Sequence, residues 1–181
     1  GVLRLSGYLK KYGHHVETYD PTYYAVTGKG SPLKDILLEK EWGIVGFSIL
    51  EETLVEDIKN IQLAKKYAKN AQLIAGGIEA QFNYQNILDK TSITIVIIGE
   101  GEVPLRMLAD KKPIHLIPGI IFKNNADPLS QELFDEATSL IDWENIDYEK
   151  YWDVYHEKNT LRANEISTNN RVLGSANDGV D

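Results

Sequence analysis

Short apolar runs alternate along the chain with longer amphipathic stretches. Three of these runs are almost continuously apolar, which is typical of strands buried on both faces of a parallel sheet: Gly43–Ile49, Ala71–Ala75 and Ile93–Ile98. Between and after them, apolar residues recur at helical spacing over residues 51–70, over residues 79–90 and through Leu105 and Leu108. Strands that alternate with helices in this way predict βαβ units with right-handed crossovers.

The first thirty residues predict a helix, a strand and a loop. Residues 2–12 place their apolar side chains on one helical face, and Gly13 suits the position just past a helix end. His15–Asp20 alternates as a strand does, and residues 22–30 carry the tyrosines and glycines of a loop. Because a helix begins at the first residue and no Met precedes it, we expect the sequence to start inside a fold whose first strand is missing.

The chain is predicted to divide into three parts. Residues 1–125, which include a short helix capped at Ser31 and a last strand over residues 117–122, predict an α/β domain with a doubly wound, flavodoxin- or Rossmann-like, mostly parallel sheet. Residues 126–158 are acidic and aromatic and predict a connector. Residues 159–181 are polar and rich in Asn, Gly and Ser, which predicts a flexible tail.

Composition and charge disfavour several classes of function. The 181 residues carry 19 Lys and Arg against 27 Asp and Glu, a net charge of −8, which disfavours attraction to nucleic acid or to an anionic membrane surface. No apolar run approaches the roughly 20 residues that span a bilayer, and no secretory signal is present, so we expect a cytoplasmic protein without nucleic-acid or membrane partners. With no cysteine, the chain itself holds no disulfide, thiolate metal site or iron–sulfur cluster.

Candidate chemistry gathers where the predicted parallel strands end, which is where open α/β sheets bind their ligands. Glycines at such points let a ligand lie against the backbone, and a serine adds a hydroxyl. A turn that needs glycine, or a charged first helical turn, explains each of these residues taken alone. The candidate binding residues at the three strand ends are Ser48, Leu50, Glu51, Thr53, Gly76, Gly77, Gly99, Glu100, Gly101 and Glu102.

The same residues carry a resemblance to a known family. Ser48-x-Leu50, followed after 25 intervening residues by Gly76-Gly77, resembles the S-x-L…G-G pair of cobalamin-binding domains. The wider order of motifs is similar to the cobalamin-binding domain that precedes a radical S-adenosylmethionine (SAM) domain. It includes Tyr12-Gly13-His14, Gly99-Glu100-Gly101-Glu102 and Pro118–Phe122, and the resemblance covers residues 1–152.

This resemblance implies the cofactor-holding module of a B12-dependent radical SAM enzyme, most often a methyltransferase. Cobalamin would bind in this chain, with its nucleotide tail between the Ser48 and Gly76-Gly77 strand ends. SAM and a [4Fe-4S] cluster would belong to a downstream radical SAM domain, and a methyl group would pass from SAM to cobalt and then to a substrate radical. This chain alone would contribute no catalytic residue and no metal ligand.

Two features depart from the family pattern. Ile78-Glu79 stand where the family commonly has Pro-His after the diglycine. The loop that carries a D-x-H-x-x-G axial-ligand motif in other cobalamin proteins would precede Gly1, so the lower axial ligand of cobalt is not defined by this sequence.

Two other classes of function stay open from the residues alone. A flavodoxin- or receiver-like signalling or interaction domain would share the fold without binding cobalamin, although a receiver needs clustered Asp residues at strand ends where Ser48 and Gly76 stand. A nucleotide- or flavin-binding enzyme would share the sheet as well, but the chain contains no G-x-G-x-x-G or Walker sequence.

Overall fold

The computed structural model describes residues 1–21, 24–25, 28, 31–125, 141–142, 149, 152–154 and 156–157. The chain divides into two compact units, Gly1–Tyr19 with Ser31–Asn145, and Asp20–Gly30 with Ile146–Asp181. The first unit carries the sheet. In the second, the rings of Trp152 and His156 lie 5.8 Å apart. The predicted tail and most of the predicted connector lie outside the described residues.

The first unit alternates helices and strands in the order that the apolar pattern predicts. The elements are α1 (Val2–Lys11), α2 (Leu33–Glu39), β1 (Ile44–Ser48), α3 (Leu54–Tyr67), β2 (Gln72–Gly76), α4 (Ile78–Phe82), α5 (Tyr84–Lys90), β3 (Ile95–Ile97), α6 (Glu102–Ala109) and β4 (Ile120–Phe122). The strand order is β1-β2-β3-β4; β1, β2 and β3 run parallel, and β4 is antiparallel to β3. The predicted mixed α/β fold with a mostly parallel sheet is confirmed.

Two hydrophobic clusters cover opposite faces of the sheet. Because side chains alternate along a strand, Leu73 and Ala75 of β2 point into one cluster and Ile74 points into the other. The first cluster includes residues of α3 and α5, and the second includes Leu108 of α6 and Ile117. All three residues of β3 are buried, as expected for a strand with helices on both faces.

Helix α1 packs against α6. It ends at Lys11, and the N–H groups of Gly13 and His14 close its last turn on the carbonyls of Lys10 and Leu9, at 2.9 and 3.1 Å, as the position of Gly13 predicts. The guanidinium carbon of Arg106 on α6 lies 4.4 Å from the ring centroid of Tyr12. This contact ties the end of α1 to the middle of α6.

Residues 15–20, predicted as a strand, form an extended segment that pairs with no strand in the described part of the chain. Lys40 and Glu17 form an ion pair, and Nε2 of His15 lies 3.1 Å from Oε1 of Glu17. The prediction was wrong because alternation reports that a segment is half-buried, whereas a strand also requires a ladder of backbone hydrogen bonds to a neighbour.

Several predicted boundaries also change. The helix expected over residues 79–90 is two helices, α4 and α5, because the backbone leaves the helical conformation at Asn83, where φ is −116°. The helix expected from Glu51 starts with a 3-10 turn over Glu51–Thr53, and α2 begins after Pro32 without a side-chain cap. The last strand, expected over residues 117–122, is limited to β4 because Pro118 and Gly119 form a turn before it, with Gly119 at a φ of +66°.

Candidate functional site

The carboxyl ends of β1, β2 and β3 meet at one edge of the sheet. Ser48, the last residue of β1, is in register with Gly76, the last residue of β2. The Ile49 N–H donates to the Gly76 carbonyl at 2.8 Å, which extends the ladder one residue past β1. The loop Gly99–Glu102, called here the β3 loop, follows on the next strand, so the structure brings the three predicted groups of residues to the same edge.

Small residues line one face of the sheet at the ends of β1 and β2, and the space over them is called here the slot. Gly46 and Ser48 of β1 lie on the same sheet face as Gly76, because residues in register share a face and alternate residues of a strand return to it. Gly46 and Ser48 are exposed and Gly76 is half-buried. A Cβ atom at Gly76 would find the Ile97 carbonyl oxygen at 3.8 Å as its nearest neighbour outside the adjoining residues. The protein's own packing therefore leaves room for a side chain at Gly76.

At Gly77, the second glycine of the pair, a side chain would not fit. Its φ is +92°, and a Cβ there would lie 2.6 Å from the carbonyl oxygen and 2.9 Å from the nitrogen of Ile49. L-residues rarely adopt that φ, and backbone atoms cannot move aside cheaply. Glycine is required at this position by the close approach of the chain that leaves β1.

Three large apolar side chains are exposed just beyond these strand ends. Leu50, two residues past Ser48, is 43% exposed; Ile78, two residues past Gly76, is 62% exposed; and Phe82 of α4 is 77% exposed. Exposed apolar groups beside a groove mark binding surfaces. Leu50 is among the residues predicted from the sequence, whereas Ile78 and Phe82 are not, although an apolar residue directly after the diglycine is a usable signal.

The two glutamates of the β3 loop have different environments. Glu100 is exposed, whereas Glu102 is 0% exposed. Arg4 of α1 donates from Nε to Oε1 of Glu102 and from a terminal nitrogen to Oε2 of Glu100. Burial alone would lower the pKa of Arg4, but the charges and hydrogen bonds of Glu102 and Glu100 raise it above its ordinary value, so the guanidinium stays charged. With Oε1 bound to Arg4 and no exposed surface, Glu102 is not positioned to contact a ligand directly.

The β3 loop is also held by α4. The N–H of Gly99 donates to Oε1 of Gln81 at 3.1 Å. On the other side, a Cβ at Gly101 would lie 3.0 Å from Cδ2 of Leu5, so α1 packs closely on the loop. Arg4 and Gln81 are not among the residues predicted from the sequence, since no local pattern links residues that lie 98 and 18 positions from their partners.

The turn after β1 is acidic and exposed. Glu51 and Thr53 are both exposed, but the Thr53 hydroxyl donates to Oδ2 of Asp57 at 2.7 Å. Burial raises the pKa of Asp57, the hydrogen bond from Thr53 opposes that rise, and the charge of Glu56 adds to it. In the described part of the chain, no three His, Asp or Glu side chains are grouped to hold a metal ion.

A family model described as a B12 binding domain matches residues 1–109. The match covers more than half of the chain and contains the ends of β1 and β2 and the whole β3 loop. The chain belongs to the B12-binding domain family. The match ends with the last residue of α6, so β4 lies beyond it.

Membership of the B12-binding domain family agrees with the mixed α/β fold and supports cobalamin as the cofactor. The comparison with curated proteins found no match. Among the residues that the structure describes, no helix is both long enough and apolar enough to cross a membrane.

Proposed function

We propose that this B12-binding domain holds cobalamin at the shared edge of β1, β2 and β3, with the nucleotide tail in the slot between Ser48 and Gly76. The observation that carries the proposal is the room at Gly76, where a Cβ would make only an ordinary van der Waals contact, at 3.8 Å with the Ile97 oxygen. The protein has no steric need for glycine there, whereas a side chain would fill the slot. A long, thin nucleotide tail fits a wall without side chains.

The exposed apolar residues suit the corrin ring. The ring is broad and largely apolar, and Leu50, Ile78 and Phe82 offer it apolar surface at the same edge of the sheet. Removing apolar surface from water contributes about 25 cal/mol per Å² buried. A ring seated on these residues would bury surface that is now exposed to water.

The polar residues that remain exposed suit a ligand rich in amide groups. The carboxylates of Glu51 and Glu100 accept hydrogen bonds from amide N–H groups, and the Ser48 hydroxyl can donate to a nitrogen or oxygen of the tail. The same carboxylates would repel a ligand recognised mainly through bare phosphate. Of the predicted binding residues, we assign Ser48, Leu50, Glu51, Gly76, Gly99 and Glu100 to the ligand.

The other predicted residues hold the edge in shape. We assign this role to Gly77, Gly101 and Glu102, on the close contacts and the ion pair described above. The hydroxyl of Thr53 is bonded to Asp57 within the turn, so Thr53 shapes the acidic turn.

We further infer that the module works with a downstream radical SAM domain in a cytoplasmic enzyme of the methyl-transfer type. The support is the order of motifs from Tyr12-Gly13-His14 to Pro118–Phe122, together with family membership. When bound, cobalamin supplies a cobalt centre that carries a one-carbon group. The residues of this chain bind and orient the cofactor, and with no cysteine they leave the iron–sulfur cluster to the other domain.

Purification tests the binding proposal. The chain is incubated with hydroxocobalamin and passed over a size-exclusion column, with hydroxocobalamin alone as the control run. We expect the visible absorption of the corrinoid to co-elute with the protein at about one equivalent. Protein that elutes colourless at micromolar concentration would overturn the binding proposal.

The coding sequence after Asp181 tests the radical SAM proposal separately. We expect it to encode a C-x-x-x-C-x-x-C cluster motif, because the sulfur ligands that this chain lacks have to be supplied by the partner domain. An uninterrupted coding sequence that ends without such a motif would contradict the radical SAM assignment and leave cobalamin binding untouched.

A further inference from the structure

The β3 loop is held in place by side chains from two different helices. Gln81 of α4 accepts the Gly99 N–H at 3.1 Å. On the opposite side, Arg4 of α1 donates to both Glu100 and Glu102, the two residues that flank Gly101. Helix α1 thus reaches the β3 loop through the Arg4 guanidinium as well as through the Leu5 side chain that packs against Gly101.

The Arg4–Glu102 pair is the stronger of these attachments. Glu102 is 0% exposed, and its Oε2 has no hydrogen-bond partner among the described residues. A carboxylate is costly to bury unless a charged partner compensates it, so Arg4 is what allows Glu102 to lie inside the protein. The planar guanidinium offers several donors in fixed directions and can serve two carboxylates at once, which a lysine ammonium does less well.

We propose that Arg4 is a positioning residue for cobalamin binding: by bridging Glu100 and Glu102, it fixes the β3 loop in the shape that faces the slot. This inference rests on the proposed function. Arg4 touches no ligand in this scheme. It acts on the direction of the Glu100 side chain and, through Glu102, on the start of α6, and its charge partly offsets the charges of the two glutamates.

The same helix provides a matched control. Lys10, two turns further along α1, pairs through Nζ with Oδ2 of Asp142 at 2.7 Å, and the Asp142 side chain is 2% exposed. Arg4 and Lys10, two of the three basic residues of α1, therefore each pair with a buried carboxylate. Asp142 also accepts a hydrogen bond from the Ser6 hydroxyl at 2.5 Å, and only Arg4 is bonded to the β3 loop, so Lys10→Gln tests the loss of a buried ion pair of α1 that lies away from the loop.

The test compares Arg4→Gln, Arg4→Lys and Lys10→Gln in the full chain, with hydroxocobalamin as the probe in equilibrium dialysis and urea unfolding as the measure of stability. We expect both glutamine variants to lower the unfolding midpoint. Arg4→Gln should raise the Kd for hydroxocobalamin about tenfold. This is the lower end of the loss in affinity seen when a residue that orients a binding group is substituted. Lys10→Gln should change the Kd less than about twofold, within the usual tolerance of independent sites. Arg4→Lys should fall between the two.

A double variant, Arg4→Gln with Glu102→Gln, removes the uncompensated buried charge in case Arg4→Gln does not fold. It should recover stability but keep the raised Kd, because the link to Glu100 is still lost. An equal rise in Kd for the Arg4 and Lys10 variants would overturn the positioning role.

Hydrogen exchange separates this inference from the proposed function. If the wild-type chain binds no hydroxocobalamin, the proposed function fails, and the positioning claim is then decided in the free protein. We expect the amides of residues 99–102 to exchange faster in Arg4→Gln than in Lys10→Gln. Equal exchange in the two variants would contradict the claim that Arg4 fixes the β3 loop.

Discussion

Two neighbouring parts of one sheet edge are built in opposite ways. At the ends of β1 and β2, Ser48 is exposed and Gly76 has room for a side chain. After β3, the loop is bonded to Gln81 on one side and to Arg4 on the other, and Glu102 is entirely buried. The first part is a surface that a ligand can use, and the second is a support that keeps that surface in shape.

The diglycine shows the same contrast within two residues. A Cβ at position 77 would lie 2.6 Å from the Ile49 carbonyl oxygen, whereas a Cβ at position 76 would have its nearest contact at 3.8 Å, an ordinary van der Waals distance. A glycine at a strand end is therefore not by itself a sign of a ligand. What distinguishes the two residues is whether the protein's own atoms already explain the missing side chain.

Gly77→Ala tests the claim that position 77 requires glycine, and it has the largest expected effect. The added Cβ meets backbone atoms of Ile49 at a φ of +92°, so we expect the free energy of unfolding to fall by about 2–4 kcal/mol. Gly76→Ala is the control and should change it by less than about 1 kcal/mol, because its φ is not positive and the space is free. Urea denaturation measures both. Equal stability of the two variants would refute the distinction.

Gly76→Val tests the claim that the slot at Gly76 receives the nucleotide tail. The branched side chain is compatible with a strand, so the protein should still fold, but it should fill the slot. We expect the Kd for hydroxocobalamin to rise by about thirtyfold or more, which corresponds to about 2 kcal/mol. Equilibrium dialysis measures this change, with far-ultraviolet circular dichroism as the check on folding. A folded variant with unchanged affinity would show that the tail binds elsewhere.

Ile78→Ser tests the apolar surface beside the slot, with Leu38→Ser on α2 as the matched control. Ile78 is 62% and Leu38 is 56% exposed, so neither change should cost much stability. Ile78→Ser should weaken hydroxocobalamin binding about fivefold, the effect of about 1 kcal/mol of lost apolar contact. Leu38→Ser should leave the Kd unchanged. The assignment of the ring to this surface fails if both variants behave alike.

Glu17→Gln tests a site away from the edge and has the smallest expected effect. The hydrogen bond from Lys40 lowers the pKa of Glu17, burial opposes this, and His15 adds to the lowering. A carboxyl with a lowered pKa stabilises the fold above its unfolded-state pKa, and that contribution disappears as the pH falls through the folded-state value.

The expected stability difference for Glu17→Gln is therefore less than about 0.5 kcal/mol at pH 7, because the pair is partly exposed and screened by solvent. Thermal unfolding of both proteins at pH 7 and at about pH 3 measures it. The difference should shrink at the lower pH, and cobalamin affinity at pH 7 should not change. A difference that grows on acidification would contradict the assigned sign.

The sheet and the meeting of its strand ends could be predicted from the sequence. Buried parallel strands produce apolar runs, and parallel strands bring their carboxyl ends to one edge, so the meeting of Ser48 with Gly76 follows from the order of elements. The strand predicted over residues 15–20 is not formed, because an alternating pattern does not identify a pairing partner.

The support of the edge could not be predicted in the same way. Arg4 and Glu102 are 98 residues apart, and no local periodicity reports which side chain of α1 will reach the β3 loop. The need for glycine at position 77 depends on how closely the Ile49 backbone approaches it. Such contacts are properties of tertiary packing, and only the structure supplies them.

The most direct test of the central claim is a residue-level titration of the ¹⁵N-labelled chain with hydroxocobalamin, followed by amide chemical shifts. The account predicts that the largest changes fall on Ser48, Gly76 and Gly99, with saturation at one equivalent. The amide chemical shifts of α2, which precedes β1 in the chain, should change little. Unchanged shifts at Ser48 and Gly76 in the presence of bound cobalamin would contradict the account.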